Sequence, residues 1–280
     1  MKIVCENQIG EQIKFDNSGP CSIESIDGLG SDFNVYTSKN TGQDGENYNG
    51  SDANKRNIVI TLSVKKAELL VQRNKMFDFF QRGSPGIFYY YEDDEAKRIS
   101  YYVEKVTPSG NGLFRYITIS LICPDPKFYA LTDQLTQLAI WQGCIRFPLR
   151  IKNPFHVTEK VNTLIGNVRN GSAVPMGLTV TFRATGTVIN PSLYDINRYD
   201  LMQINTTMHA GDVIVITTGD GNKRVRLLSG GVTNNISNLM QYPPKWLKAY
   251  QGDNLFRYNA ASGIDTLSVS ILSTPAYWGA

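Results

Sequence analysis

The alternation of hydrophobic and polar positions between residues 56 and 130 sets the organisation of the chain. Residues 56–64 alternate at the two-residue period of a β-strand, so that the apolar side chains from Ile58 to Val64 fall on one face. This pattern predicts a strand with one buried face at the start of the stretch.

A single helical stripe follows this strand. Apolar residues recur there at i, i+7, i+8 and i+11, which predicts an amphipathic α-helix over Lys66–Arg82. Gly83 and Pro85 stand where a helix usually ends. The side chains predicted to be buried are Leu69, Met76, Phe77 and Phe80.

Three aromatic-rich strands are predicted after the helix, over residues 87–91, 99–106 and 113–122. An acidic turn, Glu92–Glu95, joins the first two strands. Neighbouring carboxylates in a turn point in several directions, so we interpret it as a solvated hairpin tip rather than a cation site.

The second half of the chain predicts a β-sandwich, because several short strands are separated by turn signals. The segment Leu131–Gly143 is interpreted as a short helix or a linker leading into a strand, with a domain boundary near it. Domains are therefore expected over residues 1–130 and 131–280, with Phe147–Ile151 starting the second. Further strands are predicted at residues 178–184, 200–204, 212–217, 223–228 and 266–272, with a hairpin turn at 218–222.

Composition and charge support a mostly β protein with two ordinary domains. The chain has 280 residues, of which 11% are aromatic, including fifteen Tyr, and this favours strands over helices. Residues 1–140 carry 15 Lys and Arg against 18 Asp and Glu, whereas residues 141–280 carry 13 against 7. A net charge of −3 beside one of +6 argues against one basic nucleic-acid-binding face, and no sequence-specific nucleic acid partner is expected.

Cysteine usage indicates reduced thiols in a protein made in the cytoplasm. Cys5, Cys21, Cys123 and Cys144 show no Cys-x-x-Cys spacing, so no zinc site is expected. The N-terminus lacks a long apolar run, and no apolar stretch of about 18 residues occurs, so neither a signal peptide nor a membrane partner is expected.

Candidate chemistry is sparse, and no catalytic, cofactor-binding or metal site is predicted. His156 and His209 follow or precede turn signals, and the chain has no Gly-x-Ser-x-Gly or Gly-x-x-x-x-Gly-Lys motif. The chain is therefore not expected to be an enzyme or to hold a cofactor.

Two groups of aromatic residues leave alternatives open. Tyrosines at 89–91 and 101–102 could stack bases, but such sites also need a cationic groove, and the neighbouring turn is acidic. Packing in the core or at a subunit interface is therefore the better interpretation. Tyr242, Trp246 and Trp278 could form a sugar-stacking platform or serve as buried anchors.

Residues 39–55 are polar and rich in Gly and Asn. One interpretation is a mobile loop, and the other is an arm that reaches a neighbouring subunit.

The order of short motifs along the chain resembles the distal tail protein family of long-tailed siphophages. The resemblance covers nearly the whole chain, and Ser172 stands where the family usually has Asp. The motifs are Gly42-Gln43-Asp44-Gly45, Arg56-Asn57-Ile58, the run Cys123-Pro124-Asp125-Pro126-Lys127-Phe128-Tyr129, Asn170–Pro175, Asn190-Pro191, His209–Ile216, Gln251–Asn254 and Ser273–Gly279.

This resemblance implies a structural virion protein at the tail tip. It implies an N-terminal β-barrel-like domain with one α-helix and a C-terminal galectin-like β-sandwich. Six copies would form a ring through the N-terminal domain, with the 39–55 arm helping to close it, and would join the tail tube protein to tail-tip or receptor-binding proteins. A carbohydrate-binding module for the host cell wall is the alternative, and a cell-wall hydrolase is disfavoured because no positioned carboxylate pair stands out.

Overall fold

The computed structural model describes residues 2–16, 18–93, 95–110, 115–143, 158–162 and 164–280, without the side chains of 66, 139–143 and 158–162. The chain divides into two compact units, Met1–Leu131 with Tyr277–Ala280, and Thr132–Ala276. The predictions for Cys144, Phe147–Ile151 and His156 lie outside the described residues.

The first unit consists of strands and one α-helix, as the sequence predicts. A 3-10 turn over Lys66–Glu68 leads into the helix. The elements are β1 (Lys2–Asn7), β2 (Gln12–Phe15), β3 (Cys21–Asp27), β4 (Asn34–Ser38), β5 (Asn47–Asp52), β6 (Arg56–Val64), α1 (Leu69–Phe79), β7 (Pro85–Glu92), β8 (Glu95–Ser109), β9 (Arg115–Cys123) and β10 (Phe128–Ala130).

One antiparallel sheet organises this unit, in the order β2-β1-β7-β8-β9-β6-β3. The path has two free ends, so the expected barrel-like form is an open sheet in the part of the chain that the structure describes. Strand β6 alternates between buried and partly exposed positions along its length, which confirms the period-two prediction. The acidic turn is the tip of the β7–β8 hairpin, where Glu92 pairs with Glu95.

The helix is shorter than predicted, and one of its predicted core residues faces solvent. It spans Leu69–Phe79, and Phe80 follows it as its C-cap. Met76 and Phe80 are buried as predicted, but Phe77 is 43% exposed and the prediction for it is wrong. Phe79 takes its place in the core, because it lies three residues after Met76 on the same helix face.

The exposure of Phe77 predicts different costs for neighbouring substitutions. Phe80 is 3% exposed, and its ring packs edge-on against Phe79 at 4.8 Å. Phe80→Ala should lower the free energy of unfolding by about 3–5 kcal/mol, because it leaves a core cavity. Phe77→Ala should lower it by less than about 1 kcal/mol. Urea titrations of both variants test this, and equal losses would contradict the assignment of the helix faces.

The second unit is built from strands and two 3-10 turns, Ser237–Leu239 and Ile264–Thr266. Its strands are β11 (Gln134–Gln137), β12 (Ala139–Gly143), β13 (Thr158–Asn162), β14 (Ile165–Asn170), β15 (Met176–Ala184), β16 (Val188–Ile189), β17 (Ser192–Asp195), β18 (Asp200–Gln203), β19 (Thr207–Met208), β20 (Val213–Thr217), β21 (Arg224–Ser229), β22 (Val232–Asn235), β23 (Lys248–Ala249), β24 (Gly252–Asn259) and β25 (Leu267–Ser273), and β26 (Ala276–Tyr277) follows.

Two antiparallel sheets share one core in this unit, as in a β-sandwich. One sheet runs β11-β25-β15-β20-β21-β22, and the other runs β14-β24-β17-β18. Phe182 and Ile216 contribute from the first sheet, and Leu193 and Phe256 contribute from the second. The strands predicted at 178–184, 200–204, 212–217, 223–228 and 266–272 correspond to β15, β18, β20, β21 and β25.

The segment Leu131–Gly143 is not a helix, and it forms strands itself rather than only leading into one. It contains strands β11 and β12, and β11 pairs with β25 of the large sheet. Leu138 is fully buried in the core of the second unit. The segment is polar between its apolar positions, so its strand pairing depends on a partner more than 100 residues away and local sequence could not reveal it.

The thiols of Cys5, Cys21 and Cys123 are free and buried. Burial raises the pKa of Cys123 to about 12, and burial raises the pKa of Cys5 as well. The neutral thiol is therefore favoured in the fold, and these groups are poor nucleophiles at neutral pH.

These pKa shifts predict slow thiol chemistry in the folded protein. In a Cys144→Ser variant, the remaining three thiols should react with a thiol-specific dye only after unfolding. A thiol that reacts fast in the native variant would contradict this.

The same pKa shifts predict how stability depends on pH. Because the folded pKa values lie above the unfolded value of 9.0, the unfolded chain loses these protons first, and stability should fall as pH rises past 9.

Candidate functional site

A two-stranded hairpin projects from the first unit and pairs with no other strand that the structure describes. Strands β4 and β5 pair from Asn34 with Asp52 to Ser38 with Asn47, and a turn connects them. The polar segment 39–55 is therefore largely the tip and second strand of this hairpin. We call residues 34–52 the hairpin arm.

The hairpin arm exposes aromatic rings whose hydroxyl groups are held in place. The Tyr36 hydroxyl donates to the Asp52 carboxylate at 3.0 Å, and the Tyr48 hydroxyl donates to the Ser51 hydroxyl at 2.9 Å. Tyr48 is nevertheless 67% exposed, and Tyr36 and Val35 are also exposed. A concentration of exposed large apolar side chains on a free hairpin is typical of an interaction surface.

Arg56 lies at the base of the hairpin arm and is only 7% exposed. Its Nε donates to the carbonyl of Pro126 at 2.8 Å, and its Nη1 donates to the carbonyl of Gly28 at 2.6 Å. It also donates to the carbonyls of Gly30 and Trp278. Four carbonyls from three backbone segments distant in sequence therefore meet on one guanidinium group. We call this arrangement the Arg56 cage.

Carbonyl dipoles and one aromatic ring replace a carboxylate partner in the Arg56 cage. The guanidinium carbon lies 4.9 Å from the centre of the Phe128 ring, a cation–π distance. Burial lowers the pKa of Arg56, but a guanidinium remains charged in proteins. Among the described residues, no carboxylate forms an ion pair with it. Its five donors in a fixed fork explain why this position requires Arg.

Close backbone packing beside the Arg56 cage also explains the glycine at position 28. A Cβ on Gly28 would lie 2.0 Å from the carbonyl oxygen of Asn57, and its φ of +86° favours glycine. Three of the motifs that carry the family resemblance therefore meet here: Arg56-Asn57-Ile58, the Cys123–Tyr129 run and the closing segment at Trp278. The sequence motifs name these residues, but the spacing alone could not indicate that they meet.

A small cleft of about 110 Å³ lies beside the Arg56 cage at the base of the hairpin arm. Asp32, Asn34 and Asn57 contribute polar groups, and Phe33 packs edge-on against Trp278 with ring centres 5.1 Å apart. The base of the arm is thus packed against the C-terminal segment of the chain. This arrangement fits mechanical positioning of the arm, and no group in it is arranged as a nucleophile with a base.

In the second unit, the motif residues form buried turns. The amide nitrogen of Asn170 donates to the carbonyls of Val174 and Ala249, at 2.8 and 3.0 Å. The hydroxyl of Ser172 donates to the carbonyl of Ala276, and its oxygen accepts from the amide of Val174 at 3.1 Å. Ser172 therefore supplies side-chain hydrogen bonds to this turn, at a position where the family usually has Asp.

Two further motifs are also structural turns. The side-chain oxygen of Asn254 accepts from the amide of Tyr250 at 2.8 Å. Asp212 accepts from the amide of His209 at 2.8 Å, and this bond lowers the pKa of its carboxyl group. His209 is thus part of a turn, as the sequence indicates.

The aromatic candidates divide between core and surface. Tyr90 and Tyr101 are buried in the first unit, which confirms core packing for them. Trp246 packs against the core of the second unit, Trp278 belongs to the first unit, and Tyr242 is exposed. The three side chains of the proposed sugar platform therefore have three different environments.

Neither a metal-binding cluster nor a membrane-spanning helix occurs among the described residues. No group of three or more His, Cys, Asp or Glu side chains in them could hold a metal ion. None of their helices is long and apolar enough to cross a membrane.

Comparison with known proteins finds a phage tail domain family that matches most of the first unit. Residues 8–123 match the family described as the phage tail protein RIFT-related domain. The fold of the whole chain is similar to that of Dit, gp 19.1, of phage SPP1, described as a paradigm of the hub adsorption apparatus in phages that infect Gram-positive bacteria. The TM-score is 0.70 at 11% identity over 98% of each chain.

A second solved structure has the same fold over the full length. A chain of the phage P2 baseplate, in its activated conformation with calcium, matches with a TM-score of 0.50 and 11% identity, covering 98% of this chain and 97% of that one. No curated protein sequence matches the chain. Residues 8–123 thus match a phage tail domain family, and the chain as a whole has a fold similar to that of SPP1 Dit.

The Arg56 cage predicts a large stability effect at one position. Arg56→Ala would leave several buried carbonyls without a donor and should cost about 3 kcal/mol or more in unfolding free energy. Arg56→Lys should recover only part of this loss, since an ammonium group cannot fork between the same acceptors. Exposed Arg82→Ala is the control and should stay within about 0.5 kcal/mol of the wild type. Equal unfolding midpoints for the Arg56 and Arg82 variants would refute the cage.

Proposed function

We propose that this protein is a structural component of a phage tail tip, a distal tail protein whose copies form a ring between the tail tube and the host-adsorption apparatus. The observation that carries the proposal is the fold of the whole chain. It is similar to that of SPP1 Dit over 98% of both chains, and residues 8–123 match a phage tail domain.

The ring is proposed as a homohexamer in which the first unit makes the contacts between copies. The hairpin arm supports this, because it pairs only with itself among the described strands and exposes aromatic rings. A contact between two different surfaces of one chain, repeated around an axis, closes a ring without a two-fold interface. The second unit would carry contacts to tail-tip or receptor-binding proteins, and the tail tube protein would bind the ring.

The proposed role is non-enzymatic and lies in the virion, after synthesis in the host cytoplasm. Support comes from the domain match and from the motif residues of both units, which are engaged in backbone hydrogen bonds that hold turns and strand ends. Geometry rather than chemistry would be the contribution of this chain, since a rigid ring fixes the axis and symmetry of everything attached to it.

The proposal predicts the mass and shape of the purified assembly. We expect light scattering to give six times the mass of the 31.3 kDa chain, either alone or after addition of the tail tube protein. Negative-stain electron microscopy of the same sample should give sixfold rings with a central opening. A stable dimer in both conditions would refute the ring, because a two-fold contact uses up the surface that a ring requires.

A further inference from the structure

The outer face of helix α1 exposes three apolar side chains, although the helix also packs against the core of the first unit. Leu70 is 63% exposed and Val71 is 67% exposed, and Phe77 is exposed beside them. At 100° per residue, Leu70 and Phe77 lie within about 20° of each other around the helix axis. The opposite face holds Met76 and Phe79 in the core. Helix α1 therefore has two apolar faces, and only one of them is covered.

Cationic side chains border the outer face on both sides. Arg73 lies four residues before Phe77, and Lys75 lies four residues after Val71, so the two cations flank the apolar stripe. The segment 65–82 carries five Lys and Arg against two Asp and Glu, a net charge of +3. Asp78 is the one acidic residue of this segment that lies on the outer face.

Arg73 carries an unmet hydrogen-bonding group. Within the described part of the chain, its Nε is buried without a hydrogen-bond partner, and its one hydrogen bond is a long one of 3.4 Å from Nη2 to the side chain of Asn74. The Nη groups of Arg73 therefore keep donors that a carboxylate could engage. No ion pair involves Arg73 or Lys75 among the described residues.

The hairpin arm has the complementary properties. It exposes Val35, Tyr36 and Tyr48, and residues 34–52 carry three Asp and Glu against one Lys, a net charge of −2. Asp44 and Glu46 near its tip are exposed and form no ion pair in the described part of the chain. The arm therefore offers both apolar rings and carboxylate acceptors.

We propose that the outer face of α1 is the docking surface for the hairpin arm of a second copy of this chain. Val35 and Tyr48, which share one face of the arm, would cover Leu70, Val71 and Phe77, and the arm's carboxylates would approach the flanking cations. The surfaces differ, so each copy gives its arm to one neighbour and receives the arm of another, which is the heterologous contact that a closed ring needs. This inference rests on the proposed ring and names its receiving surface.

Paired substitutions of opposite charge test the docking surface. Leu70→Glu with Val71→Glu should lower the assembly constant by at least about tenfold, because the acidic arm is repelled and apolar contact is lost. Leu70→Lys with Val71→Lys should assemble better than the Glu pair, because only apolar contact is lost. Glu and Lys are both good helix formers, and the helix dipole favours Glu near the N-terminus. If the substitutions only impaired folding, the Lys pair would therefore assemble worse than the Glu pair.

Exposed Ile9 in the same unit provides the matched control. Ile9→Glu removes a similarly exposed apolar side chain, 72% exposed, from outside the proposed contact and should leave assembly unchanged. Circular dichroism of every variant shows whether the fold is retained. If the Glu pair assembles as well as the wild type, the inference is wrong.

Cross-linking tests the contact independently of ring closure. In the Cys144→Ser background, whose three native thiols are buried, a chain that carries both Tyr48→Cys and Phe77→Cys should form a ladder of covalent multimers under mild oxidation, whereas a chain with only one of these two substitutions should stay monomeric. Multimers of the Phe77→Cys chain alone would mean that two helices meet, and this would overturn the inference.

The two experiments separate this inference from the proposed function. Rings without arm-to-helix cross-links would refute the docking surface and leave the ring intact. A ladder of multimers without closed rings would support the docking surface and refute the hexamer. Monomers in every sample, with and without the tail tube protein, would refute both.

Discussion

The Arg56 guanidinium holds together the parts of the first unit that the sheet does not connect. Strand β6 supplies the arginine, and the carbonyls of Gly28, Pro126 and Trp278 belong to segments that no run of local sequence would unite. A buried cation is costly unless its donors are satisfied, so these segments can only stay together in one arrangement. The position of the hairpin arm depends on that arrangement, since the arm begins just after the Gly28–Gly30 loop and ends just before Arg56.

The local periodicity of the chain was sufficient to predict most strands of both units, because a buried sheet face imposes a strict two-residue repeat. Strand β6 and the β20–β21 hairpin are examples, and each has clear turn signals at its ends. Helix α1 was predicted only in part. Its apolar residues lie on two faces, and a stripe count cannot tell a face that packs on the sheet from one that faces outward, so Phe77 was assigned to the core.

Long-range pairing set the limit of what could be predicted about the site. Motif residues such as Arg56 and Asn170 were recognised by their order in the chain, but their role became clear only from the carbonyls that they satisfy. Most of these carbonyls belong to residues far away in sequence. Every residue has a backbone carbonyl, so residue type does not indicate which one accepts a given hydrogen bond. Strand β11 was missed for the same reason, because its identity as a strand comes from β25.

The return of Tyr277–Ala280 to the first unit has a further consequence for the second. Both ends of residues 132–276 are attached to the first unit, and the amide of Ala280 donates to the carbonyl of Leu29 at 3.1 Å. While the first unit remains folded, an unfolded second unit must exist as a closed loop of about 145 residues, which removes chain entropy worth about 4 kcal/mol. The last four residues thus act on the denatured ensemble of a unit to which they do not belong. A host protease that cut the chain once inside this loop would leave two fragments held together, because Tyr277–Ala280 would remain bound to the first unit.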